Sequence, residues 1–180
     1  MRSLLTALVL LTLTACTGLP ERVSPVTGFQ LDRYLGTWYE VARLDHRFER
    51  GMTHVTATYA LRDDGGVSVR NRGFSTLDKE WKEAEGRAYF VGSPTEGHLK
   101  VSFFGPFYGS YVVFGLDQRD YRYAFISGNS TDALWLLART PQISDDVKQR
   151  FIADAKARGF ATEQLIWVTH EQSPEKASQP

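Results

Sequence analysis

Short stretches of alternating apolar and polar residues, separated by polar or glycine-containing turns, fill the chain between Leu35 and Arg139. A period of two is typical of strands that bury one face, and Val, Phe, Tyr, Trp and Thr dominate these stretches. The clearest turn is Asp63-Asp64-Gly65-Gly66, which suits a tight hairpin. The pattern predicts strands over 37–44, 54–61, 66–72, 85–91, 98–104, 110–117, 121–127 and 133–139.

The pattern changes after Pro141, where apolar residues recur at helical spacing behind Ser144. A serine caps free amides at a helix start, and Gly159 lies where a helix commonly ends. A short final strand is predicted over 165–168. Strands that follow one another along the chain favour barrel closure, because closure removes exposed sheet edges. The predicted fold is therefore all-β: an eight-stranded antiparallel up-and-down barrel with one C-terminal α-helix packed outside it and a short final strand.

The amino-terminal residues have the pattern of a targeting signal. A positive start is followed by an apolar run that is too short to span a bilayer, and the run ends in Leu13-Thr14-Ala15-Cys16. This tetrapeptide resembles the lipobox of bacterial lipoproteins, in which the cysteine is acylated. Ordinary secretion with cleavage after Ala15 is the alternative, but it would place bulky Leu13 where a small residue is required. The predicted divisions are a signal peptide over 1–15, a lipidated amino terminus and tether over 16–30, a folded domain over 31–170 and a disordered tail over 171–180.

Composition narrows the function classes. The 180 residues, 42% of them hydrophobic, suffice for one domain with a large core. The 21 basic and 21 acidic residues cancel, which argues against a nucleic-acid partner. The single cysteine excludes an internal disulfide, and the scattered histidines predict no metal site. Without a nucleophile motif such as Gly-x-Ser-x-Gly, the sequence predicts neither an enzyme nor a cofactor.

Three motifs, in order, resemble those of the lipocalin family. They are Gly36-Thr37-Trp38 on the first strand, Leu116-Asp117 with Tyr121 between the sixth and seventh strands, and Arg139-Thr140-Pro141 after the eighth. The resemblance covers residues 31–170. Two further stretches, 38–49 and 104–109, resemble the bacterial lipocalins related to apolipoprotein D.

The resemblance implies structural roles for Gly36, Trp38 and Arg139 in closing one end of the barrel. An indole there plugs the floor, and a guanidinium stacks on its face while donating to nearby carbonyls. It also implies an anchor at Cys16 on the periplasmic face of the outer membrane. The implied activity is storage or transport of fatty acids or phospholipid derivatives such as lysophospholipids, for membrane maintenance under stress.

Alternation phased from Trp38 and Arg139 predicts the residues that face into the barrel. The predicted ligand-binding lining is Ala42, Val55, Ala57, Tyr59, Val69, Phe90, Val101, Phe103, Tyr111, Val113, Tyr123, Phe125, Trp135 and Leu137, with Val67 and Leu99 in the same phase. On the fourth strand, Tyr89 and Val91 compete with Ala88 and Phe90 for the inward positions. The apolar, aromatic lining predicts a long hydrocarbon with a polar end.

Glu40 also falls on the inward phase. A buried carboxylate needs a partner, so we expect pairing with Arg139 or another basic residue, or a polar contact to the ligand.

Two other interpretations remain open. In the first, aromatic side chains fill the barrel and the protein is an envelope scaffold; the fillers would be Trp135, Phe125, Phe103 and Tyr123. In the second, the cargo is haem or another small hydrophobic ligand, with haem requiring inward His98 or His54. The aromatic segment 103–108 is expected at the barrel mouth, where it could touch a membrane or a second copy in a homodimer.

Overall fold

A computed structural model describes residues 17–170 and confirms the predicted closed antiparallel barrel of eight strands with one additional strand. Cys16, the predicted signal peptide and the predicted tail lie outside the described residues. The strands are β1 (Gly36–Arg43), β2 (Met52–Leu61), β3 (Val67–Ser75), β4 (Glu80–Phe90), β5 (His98–Phe104), β6 (Phe107–Leu116), β7 (Tyr123–Ser127), β8 (Leu134–Ala138) and β9 (Ile166–Trp167). The helices are α1 (Leu31–Tyr34), α2 (Asp145–Ala157) and a 3-10 turn, Thr162–Gln164.

The barrel closes through β1, which pairs with both β2 and β8. Trp38 lies opposite Ala57 on one side, and Glu40 lies opposite Leu137 on the other. Each remaining strand pairs with the next along the chain. β9 adds to the outer part of β1, where Ala42 lies opposite Trp167.

Strand bounds differ most from the prediction at β4. This strand begins at Glu80 instead of residue 85, and its pairing with β3 is unbroken from Val67 opposite Ala88 to Ser75 opposite Glu80. The added part is largely exposed and polar, so no burial pattern marked it as a strand. The prediction also missed α1 and started β7 too early, because Tyr121 lies in the preceding turn with a φ of 55°.

The closed end of the barrel is plugged by Trp38, which is completely buried. Its Nε1 donates to the Tyr34 carbonyl at 2.7 Å. The Arg139 guanidinium carbon lies 3.9 Å from the Trp38 ring centroid. That guanidinium donates to four carbonyl oxygens, those of Arg33, Leu35, Thr37 and Tyr121. One side chain therefore ties α1, β1, β8 and the β6–β7 turn together.

Helix α2 packs on the outside of the barrel, as predicted. Ser144 caps it, accepting from the Val147 amide at 3.4 Å. Phe151 and Ala155 are buried in an outer apolar cluster that includes Phe125. No helix within residues 17–170 has the length and apolar character needed to cross a membrane.

Part of the predicted tether, the segment directly before α1, packs along the barrel wall. Val23 and Phe29 are buried. The Val26 amide donates to the Val113 carbonyl, and the Gly97 amide donates to the Val26 carbonyl. Its apolar side chains gain more from burial against the wall than from exposure to water, and this packing shortens any true tether.

We expect Arg139→Lys to lower the free energy of unfolding by about 2 kcal/mol. Lysine keeps the charge but lacks the planar fork, so it loses most of the four carbonyl bonds and the ring stacking. Urea unfolding followed by tryptophan fluorescence measures the change. Arg119→Lys, at an exposed site, is the matched control, and equal stability of the two variants would contradict the assigned role.

Candidate functional site

The barrel encloses an apolar cavity of about 350 Å³. Phe29, Leu31 and Tyr34 line its closed end, and Phe48 and Asn129 line its mouth. Clefts of roughly 300–1,000 Å³ with mostly apolar linings are typical of small-molecule sites. The cavity is therefore the candidate binding site.

Most of the predicted lining residues face this cavity. They are Val55, Ala57, Tyr59, Val69, Val101, Phe103, Tyr111, Trp135 and Leu137, and Val67 and Leu99 join them. On β4, Ala88 lines the cavity. The inward positions of this strand are therefore those of Ala88 and Phe90, and not those of Tyr89 and Val91.

Two predicted lining residues lie inside the barrel but away from the cavity. Phe90 and Val113 belong with the buried cluster around Trp38 at the closed end. The Phe90 ring packs edge-on against Phe29, with centroids 6.1 Å apart. The amino-terminal segment therefore fills the space that these residues were predicted to line.

The inward placement of Ala42, Tyr123 and Phe125 is wrong, because all three pack in the outer cluster under α2. A register shift between Glu40 and Ala42 reverses the alternation on β1. A bulge changes which face the following residues occupy.

On β7 the alternation follows the neighbouring strand. Ala124 and Ile126 lie opposite Leu137 and Trp135 and face inward with them. Phe125 instead packs against Gly115 on the outer face, where a β-carbon on that glycine would lie 2.3 Å from the ring. The inward position of Ile126 follows from the register of β7 with β8, which the periodicity within β7 alone does not give.

Three tyrosine hydroxyls meet in the cavity. Tyr111 Oη lies 2.6 Å from Tyr34 Oη and 2.9 Å from Tyr59 Oη. Burial raises the pKa of all three phenols, so they remain protonated. Three hydroxyl hydrogens supply the two bonds within the cluster, which leaves one hydrogen to donate elsewhere.

A carboxyl network lies on the wall near the mouth. Glu40 pairs with Arg43 at 2.7 Å rather than with Arg139, and both side chains are almost fully buried. Trp135 Nε1 donates to Glu49 Oε2 at 3.0 Å. Burial raises the pKa of Glu40 well above its usual range and also raises that of Glu49. Alternation on β1 predicts the inward position of Glu40, whereas Glu49 lies in a loop without periodicity and was not predicted.

The histidines do not occupy the places that haem binding would require. His54 and His98 are not among the cavity-lining residues. His46 lines the mouth, stacked between Trp135 and Phe48 at centroid distances of 4.5 and 5.4 Å. Burial lowers the pKa of His46. Within residues 17–170, no cluster of His, Cys, Asp and Glu could hold a metal ion.

Comparison with known proteins agrees with this geometry. Insecticyanin from the tobacco hornworm Manduca sexta superposes with a TM-score of 0.67 at 21% identity, covering 86% of this chain and 88% of that one. This likeness concerns the fold. The chain is 57% identical over 171 residues to an outer membrane lipoprotein Blc of Vibrio cholerae, covering 95% of this chain and all of the relative.

A second outer membrane lipoprotein Blc, from Escherichia coli K12, is 56% identical over 149 residues, covering 83% of this chain and 84% of the relative. The family model of the lipocalin-like domain matches residues 29–170. The matched range contains Trp38 and Arg139 at the closed end, the residues that line the cavity, and helix α2. The chain belongs to the lipocalin family.

Proposed function

We propose that this lipocalin holds a single-chain lipid, a fatty acid or a phospholipid derivative such as a lysophospholipid, in its barrel for storage or transport in membrane maintenance. The observation that carries the proposal is the apolar cavity of about 350 Å³ with an open mouth. Burying a methylene contributes about 0.8 kcal/mol, so a sixteen-carbon chain gains at most about 13 kcal/mol. Association costs about 4 to 15 kcal/mol, which is compatible with roughly micromolar affinity.

The other two interpretations have less support. The filled-barrel scaffold relied on four aromatic side chains, but Tyr123 and Phe125 pack outside the barrel. The haem carrier relied on His54 or His98, neither of which lines the cavity. The lipocalin family and the names of the relatives point to binding or transport rather than catalysis.

The location agrees with a lipid carrier. The protein is a lipid-anchored lipoprotein of the outer membrane, like the relatives from Vibrio cholerae and Escherichia coli. Cys16 as the acylated residue, on the periplasmic face, remains a prediction. Two or more acyl chains would hold the barrel stably at the membrane surface.

The open end carries exposed apolar side chains. Phe48, Leu77, Phe104 and Phe107 are all at least 72% exposed, and each lies in or beside a loop at the mouth. We propose that this rim, defined by these four residues, contacts the membrane that holds the anchor. A lipid could then enter the cavity without crossing much water.

Filling the cavity should weaken lipid binding. We expect Ala57→Phe, on the barrel wall, to weaken binding of palmitate or a lysophospholipid at least about tenfold, because the added ring occupies space that the acyl chain needs. Ala60→Phe, at an exposed position of the same strand, is the matched control. Native mass spectrometry after lipid loading measures the bound fraction.

We expect about one bound lipid per chain in the native protein and in Ala60→Phe, and loss of the lipid only in Ala57→Phe. If the native protein takes up no acyl chain, the carrier function is wrong and the scaffold interpretation gains support. Circular dichroism on both variants checks that the barrel has formed.

Removing the rim phenyl groups should weaken membrane contact. The barrel lies within residues 17–170, so a chain starting at Thr17 separates this contact from the acyl anchor. Replacing Phe104 and Phe107 by Ser should lower partitioning onto phospholipid vesicles roughly tenfold, because each ring buries apolar area at the interface.

Leu61→Ser, at an exposed site on the opposite end of the barrel, controls for general loss of apolar surface. Equal partitioning of all three proteins would refute membrane contact at the rim. A shift from dimer to monomer in the double variant, with vesicle binding unchanged, would instead assign the rim to a homodimer.

A further inference from the structure

The cavity wall carries more acidic than basic groups. Glu40 and Glu49 both line the cavity, and burial together with their mutual repulsion raises the pKa of Glu40, while burial raises that of Glu49. Two ionised carboxylates on the same buried wall repel each other, and the low dielectric there strengthens the repulsion. The pair therefore holds a proton or presents an uncompensated negative charge to the cavity.

Among residues 17–170, Arg43 is the cation that acts on this pair. Its Nη1 contacts Glu40, while its Nη2 donates to the carbonyls of Glu49 and Met52 at 2.8 and 3.1 Å. One guanidinium balances one carboxylate. The second carboxylate has the Trp135 indole as a neutral donor.

Within residues 17–170, no other group that faces Glu40 and Glu49 supplies a second positive charge to balance them. His46, from the β1–β2 loop, has a pKa lowered by burial and by Arg43, so it is largely neutral near pH 7. Tyr59, from β2, remains a neutral phenol because burial raises its pKa. Asn71, from β3, also lines the cavity, and its Oδ1 is buried without a hydrogen-bond partner. This wall of the cavity therefore offers acceptors.

The pair lies where the polar end of a lipid would lie. Trp38 closes the floor, so an acyl chain enters tail first and leaves its polar end toward the mouth. Glu49 belongs to the β1–β2 loop at the mouth, and Glu40 lies below it on β1. A cationic or hydrogen-bond-donating end complements these acceptors, whereas a carboxylate meets like charge in a low-dielectric site.

We propose that Glu40 and Glu49 select the cargo by the charge of its polar end, favouring single-chain lipids that end in an ammonium or a hydroxyl over those that end in a carboxylate. This inference rests on the proposed lipid-carrier function and narrows its substrate class. Glu49 is the specificity-determining residue that can be changed without breaking the Glu40–Arg43 ion pair.

The test compares two ligands with the same twelve-carbon chain, dodecylamine and lauric acid. Free carboxyl groups titrate at about pH 4 and alkyl amines at about pH 10, so both ligands keep their charge from about pH 6 to about pH 8. Displacement of a fluorescent lipid probe gives both dissociation constants. At about pH 8 we expect the native protein to bind dodecylamine at least about tenfold more tightly than laurate.

Glu49→Gln should bring this ratio close to one, because the amide still accepts from Trp135 but carries no charge. Glu163→Gln, an exposed change of the same type on the 3-10 turn, should leave the ratio unchanged. A purely structural role for Glu49 would alter both dissociation constants together and leave their ratio as it was, which would overturn the inference.

The native protein gives a second readout that needs no variant. Since burial raises the pKa of both carboxyls, the pair loses its proton as the pH rises, and laurate binding should weaken while dodecylamine binding does not. Tight binding of both ligands with equal constants at every pH would overturn the inference and leave the carrier function intact. Failure to bind either ligand would overturn both.

Discussion

The stacking of Arg139 on Trp38 is the interaction on which the rest of the barrel depends. An up-and-down barrel needs its first and last strands to meet, and here they meet where the guanidinium leaves β8 and covers the indole of β1. The same guanidinium binds carbonyls before and within β1 and in the β6–β7 turn. The contacts that join the first and last strands therefore also close the floor of the barrel. The cavity is a consequence, since a barrel without this plug would be open at both ends.

Strand register determines which side chains line the cavity. Strict alternation from Trp38 would place Ala42 inside, but the register shift between Glu40 and Ala42 turns Ala42 to the outer face. Outward side chains of the barrel form the surface on which α2 packs, where Phe125 contacts Phe151. Small inward residues such as Ala57 and Ala88 leave the interior open. The register shift on β1 thus adds a side chain to the outer layer, while the small lining residues keep the barrel from filling.

The sequence was sufficient to predict the barrel, α2 and most of the cavity wall, because these follow from local periodicity and from capping at Ser144. It was not sufficient where one element sets the phase of another. The inward face of β7 depends on its register with β8, and the lower cavity depends on Phe29, which arrives from a segment without periodicity. The β1–β2 loop contributes Glu49, His46 and Phe48 to the mouth. A loop has no periodicity from which the inward side chains could be predicted. The fold was thus more predictable than the chemistry of its cavity.

An open interior has an energetic cost that shapes how the site works. At about 24 cal/mol per Å³, an empty apolar cavity of about 350 Å³ would cost at most about 8 kcal/mol, comparable with the whole stability of a domain. Collapse is resisted by polar contacts that hold large side chains against the wall. Tyr34, Tyr59 and Tyr111 bind one another through their hydroxyls, and Trp135 is held by Glu49 and stacked on His46. The polar groups that keep the cavity open also face its interior. Under the proposed function, an acyl chain would supply the missing apolar contacts while its polar end met the carboxyl pair.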